Sequence, residues 1–90
     1  MREPVFAAAG IARPERFFDD LRAAGYAVTG QMAFRDHHRF TADDVSRIVA
    51  AAHASGAAAV VTTEKDAVRL ESLALTALPF LAVPLQTTIE

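Results

Sequence analysis

The sequence predicts an α/β domain: a small, mostly parallel sheet of four to five strands flanked by helices in three layers, α/β/α. Two observations lead there. Short apolar runs, too continuous for a strand with one wet face, alternate along the chain with stretches of helical period. Unbroken runs of that kind are what strands buried on both faces look like, and crossover helices on the faces do the burying. Thr-x-x-Asp boxes and glycines then mark where the helices start and stop. The resulting order β-α-β-α-β-α-β requires crossovers between parallel strands, and residues 1–90 read as one domain with no internal repeat or linker.

The first strand lies in the apolar run VFAAAGIA that follows Pro4, with Gly10 near its end, where a backbone without a side chain turns or admits close approach. Pro14 suits the first position of a helix, and Glu15 in its first turn opposes the helix dipole. Phe17, Phe18, Leu21 and Ala24 share one face of that helix, and Gly25 stops it. Residues 26–34 form the second strand, with Tyr26, Val28 and Met32 inward and a bend or bulge at Gly30. Thr41 caps the second helix, Asp44 completes the box, and Phe40 and Val45 flank the cap as a hydrophobic staple. Val45, Ile48, Val49 and Ala52 give the core stripe, and Gly56 ends it. A third strand covers 57–62. Thr63 and Asp66 repeat the cap for a short helix through Leu70. Residues 79–84 form a fourth strand and 85–89 a possible fifth at an edge.

Composition excludes several classes. At 52% hydrophobic residues the chain has enough apolar matter for a core. No apolar run reaches the ~18–20 residues of a membrane span, and no signal-peptide pattern opens the sequence. A net charge of −2 gives no reason to expect nucleic acid as a partner. Without cysteine there is no disulfide, thiolate metal site or catalytic thiol.

In such a sheet the loops leaving the carboxyl ends of the strands gather on one edge, where ligands bind. Here they are 10–13, 35–39 and 62–65, and they carry Arg13, Arg35, Asp36, His37, His38, Arg39, Thr63 and Lys65. Helix N-termini behind them add positive dipole ends. The rim suits an anionic group such as a phosphate, with a histidine to move or orient a proton. For any single residue a solvated polar edge is the plainer reading; the convergence of three loops argues for a site. Adjacent histidines rarely share one ion, and only Asp36 lies close by in sequence, so no metal site is expected. His53, near the end of the second helix, reads as a surface or dipole partner. The chain has no GxxxxGK[ST] phosphate loop.

Three segments in order, GIARPERFFDDLRAAG, FRDHHRFTADDV and VVTTEKDAVRL, closely resemble the carboxy-terminal portion of the tetraacyldisaccharide 4'-kinases. The Asp-His-His phosphoesterases share one tripeptide, but their further metal-binding aspartate motifs have no counterpart. The resemblance implies a role in phosphorylating a lipid A precursor disaccharide with ATP and Mg²⁺, at the cytoplasmic face of the bacterial inner membrane. It also implies an absent amino-terminal domain carrying the phosphate loop, the metal carboxylates and the membrane-associating helix. This chain is then expected to be a fragment, inactive alone. The family's Asp-His motif places on His37 the role of pairing with a catalytic aspartate of that other domain. Asp36 is expected to orient the ring, and nothing is carried onto His38. Arg13 and Lys65 fall in the other two matching motifs; together with Arg35, Arg39 and Thr63 they are candidates for the phosphate rim. A non-catalytic α/β module that binds a phosphorylated ligand or partner is the alternative, and a purely structural domain is a third.

Overall fold

A computed structural model describes residues 3–36, 38–71 and 80–83. The elements run β1 (Pro4–Ala9), α1 (Pro14–Ala23), β2 (Ala27–Ala33), α2 (Ala42–Ala54), β3 (Ala59–Thr63), α3 (Glu64–Glu71) and β4 (Phe80–Val83). All pairings are parallel and the strand order is β2-β1-β3-β4. The α/β class and four of the expected strands are therefore present. The expected fifth strand at 85–89 and the connection before β4 lie outside the described residues.

Alternation along β1 builds the three layers. Val5, Ala7 and Ala9 face α1 and pack with Phe17, Phe18, Leu21, Ala59 and Val61. Phe6 and Ala8 point the other way, onto Ile48 and Ala52 of α2 with Val60. Leu70 of α3 joins Phe40 and Val45 on that same side. Ala24, expected on the buried face of α1, is exposed as the C-cap residue. Gly25 and Gly56 follow α1 and α2 at φ 97° and 82°, the left-handed stop that glycine takes without a Cβ penalty.

The irregularity expected at Gly30 is present: the β1–β2 register slips between Val5 and Phe6, which pair with Val28 and Gly30. The extra residue reverses the alternation of β2. Val28 packs on the α1 side, whereas Met32 packs on the α2 side. A Cβ at residue 30 would lie 2.9 Å from the buried Phe6 ring, so the bulge and the glycine serve one packing requirement.

Strand β3 runs straight into α3 at Thr63–Glu64, where a loop over 62–65 was expected. The chain leaves β1 toward α1 on one face and leaves β3 toward α3 on the other. Adjacent strands whose connections diverge in this way form a topological switch point, the usual ligand crevice of an open parallel sheet.

Candidate functional site

Two capped helices hold the carboxyl edge of the sheet. At α2 the capping box is complete: Asp44 N–H donates to Thr41 Oγ1 at 3.2 Å, and Thr41 N–H donates to Asp44 Oδ2 at 3.0 Å. Phe40 and Val45 meet in one buried cluster, as a staple requires. At α3 the corresponding carboxylate is diverted. Asp66 N–H donates to Thr63 Oγ1 at 3.1 Å, but the Thr63 hydroxyl donates in turn to Asp66 Oδ2 at 2.8 Å. The same Oδ2 accepts the Gly10 N–H at 2.9 Å, so one oxygen ties the end of β1 to the start of α3. Asp66 is fully buried, and its Oδ1, like Thr62 Oγ1, has no hydrogen-bond partner among the described residues. Leaving a buried acceptor unpaired costs ~1–3 kcal/mol.

Gly10 also touches the β2–α2 loop. A Cβ built there would lie 3.2 Å from the Phe40 ring, 3.4 Å from the Arg35 carbonyl oxygen and 3.5 Å from Phe34 Cβ. The three loops that sequence analysis placed on one edge therefore do meet, and they meet at Gly10. A side chain at this position would press on the Phe40 ring, which would have to give by a few tenths of an ångström.

The β2–α2 loop is anchored on both sides of its polar centre. Phe34, His38 and Phe40 form a ring cluster with centroid separations of 4.9 to 5.1 Å. His38 N–H closes a turn onto the Arg35 carbonyl at 2.9 Å. The His38 ring, half-buried, places Nε2 2.8 Å from Asp44 Oδ2; against an ionised carboxylate this nitrogen carries the hydrogen and donates. The hydrogen bond from His38, reinforced by the Thr41 N–H, holds the Asp44 carboxyl below its usual 3.8 despite the opposing effect of burial. The family resemblance assigns nothing to His38, yet the structure makes it the loop's tether to α2. The spacing from His38 to the N3 position of the box was the available signal, since a residue just before an N-cap lies near that carboxylate.

The sign of the Asp44 shift sets an expected pH dependence. A carboxyl with a depressed folded-state pKa stabilises the fold above its unfolded value, and that contribution is lost as pH falls through the folded one. Thermal unfolding of wild type and Asp44→Asn should differ at neutral pH and converge as pH drops below 3.8. A gap that persists undiminished in acid would mean the carboxylate is not the stabilising species.

The other expected site residues divide by exposure. Arg13, the N-cap residue of α1, is exposed, as are Arg35, Asp36, Arg39 and Lys65. Thr63 lies under the rim, fully buried, with its hydroxyl engaged by Asp66. His37 lies outside the described residues, although both of its neighbours are placed. Asp66 was read as a helix cap alone; its bond to Gly10 spans 56 residues and left no trace in local spacing. Among the described residues no three His, Cys, Asp or Glu side chains gather as metal ligands, and no helix is long and apolar enough to cross a membrane.

Comparison with known proteins adds a family to this geometry. The tetraacyldisaccharide-1-P 4'-kinase family model matches residues 1–90. The chain is 45% identical over 86 residues to a tetraacyldisaccharide 4'-kinase of Desulfotalea psychrophila, covering 96% of this chain and 24% of that protein. It is 54% identical over 67 residues to one of Anaeromyxobacter dehalogenans, covering 74% and 18% respectively. With one of Koribacter versatilis it shares 44% over 86 residues, 96% of this chain and 27% of that protein. The chain thus spans about a quarter or less of the length of these curated relatives. No solved structure matches it.

Proposed function

This chain belongs to the tetraacyldisaccharide-1-P 4'-kinase family, and from that membership we propose that it forms one wall of a lipid kinase active site. The reaction is transfer of the ATP γ-phosphate to the 4'-hydroxyl of a tetraacyldisaccharide 1-phosphate, at the cytoplasmic face of the inner membrane. The observation that carries the reading is a family match over the whole chain, joined to a rim whose β2–α2 loop is held at Phe34 and at His38.

His37 steers the hydroxyl proton by holding a catalytic carboxylate supplied by the rest of the protein, with Asp36 orienting its ring. Arg13, Arg35, Arg39 and Lys65 present positive charge to phosphate oxygens. Thr63 acts from beneath, by capping α3. The described residues do not fit a nucleotide or Mg²⁺ site of their own. The 90 residues contain no phosphate loop, and no acidic cluster forms among those described. Both are therefore assigned to the remaining three-quarters of the protein, where positioning and charge stabilisation of the transferred phosphoryl would reside.

The 90-residue chain alone is expected to fold and to turn over no ATP. The full-length enzyme is expected to phosphorylate the disaccharide at the 4' position. ATP turnover by the purified 90-residue chain, abolished by changing a rim residue, would overturn this division of labour.

A further inference from the structure

We propose that Asp66 is a positioning residue that locks the three rim loops into one unit, acting on the His37-bearing loop through Gly10; its catalytic consequence rests on the kinase reading above. The switch point between β1 and β3 is where an open parallel sheet parts, because the two chains turn to opposite faces. Here a fully buried carboxylate crosses that gap. Asp66 Oδ2 accepts from the Gly10 N–H at 2.9 Å and from the Thr63 hydroxyl at 2.8 Å. Gly10 then lies close against the neighbouring loop, with the Phe40 ring, the Arg35 carbonyl and Phe34 Cβ 3.2 to 3.5 Å from where its Cβ would stand. The chain of contact runs from α3 to β1 to the turn that holds Arg35 and His38. Asp66 itself is fully buried, so it touches neither substrate nor nucleotide.

The orphaned Oδ1 supplies the discriminating substitution. Asp66→Asn can keep one oxygen for both donors and put its amide nitrogen where Oδ1 has no partner. Asp66→Ala removes both bonds. In the 90-residue chain, Asp66→Ala should speed exchange of the Gly10 amide by about tenfold or more. It should also move the amide resonances of Arg35 and Phe40, on the loop that lies against Gly10. Asp66→Asn should restore both. Gly10→Ala attacks the same junction from the other side, pressing on the Phe40 ring while leaving the carboxylate in place. It should shift the Phe40 and Thr63 resonances together, and it replaces Asp66→Ala if that variant does not fold.

In the full-length kinase, Asp66→Ala should lower kcat while the KM for ATP stays near the wild-type value, and Asp66→Asn should recover kcat. The proposal is overturned if Gly10 exchange and the β2–α2 resonances ignore Asp66→Ala, or if Gly10→Ala leaves Thr63 unmoved. It is equally overturned if Asp66→Asn behaves like the alanine variant, or if the loop shifts while kcat does not. A wild-type full-length protein without 4'-kinase activity would instead sink the functional reading and leave the exchange results standing.

Discussion

Phe40→Ala is expected to destabilise the domain by ~3–5 kcal/mol, the usual cost of truncating a buried phenylalanine to alanine. The residue is 8% exposed and packs with Val45 and Leu70, which joins α2 to α3. It also stacks edge-on against Phe34 and His38 and stands over Gly10. Edge-to-face rings add ~0.5–1.5 kcal/mol beyond the area they bury, so this site belongs at the costly end for its size. Domains of this kind hold ~5–15 kcal/mol in total, and the variant should sit close to the threshold of folding. Urea unfolding gives the loss directly. The loop effect is separate: amide exchange at Arg35, Asp36 and His38 should rise under conditions where the variant is still folded. If stability falls while those amides remain protected, the loop is held by the His38–Asp44 bond and Phe40 is only a core residue.

Much of this arrangement was legible because it is local. The Thr41–Asp44 box, the Phe40–Val45 staple and the stops at Gly25 and Gly56 are spacings of five residues or fewer, each with one dominant geometry. The bulge at Gly30 could be expected from a glycine inside a strand, but not its consequence, the transfer of Met32 to the opposite face from Val28. The roles of Thr63 and Asp66 were half visible. Their spacing announces a helix cap, yet whether an N3 carboxylate returns to its own cap or reaches another strand depends on what the fold brings beside it. In α2 the cap follows a loop and the box closes on itself; in α3 the cap is the last residue of a strand, and Gly10 is the donor at hand. His38 was missed for a related reason. Adjacent histidines look alike in composition, and the one cue in the sequence was the short spacing from His38 to the capping box; the turn onto Arg35 and the ring contacts with Phe34 and Phe40 appear only once the chain is folded.

His37→Ala in the full-length enzyme is expected to lower kcat by ~10²–10⁴-fold, the range typical of assistance to proton transfer in a transition state. The KM for ATP should scarcely change, because nucleotide binding is assigned to the part of the protein outside this chain. His38 is the natural comparison, but not as a neutral control. His38→Ala removes the partner of Asp44 and one ring from the Phe34–Phe40 cluster, so it should loosen the loop and lower activity indirectly. The two histidines are separated by what else moves. His38→Ala should displace the Phe34, Phe40 and Asp44 resonances and erase the depression of the Asp44 pKa, whose largest cause is the His38 hydrogen bond. His37→Ala should leave all of these in place and still lose kcat. A bulky substitute that keeps the ring contacts, His38→Phe, should recover more activity than His38→Ala, whereas His37→Phe should recover none. If His37→Ala loses activity only in proportion to movement of the Phe34–Phe40 cluster, its role is that of a loop residue and the proton-steering assignment fails.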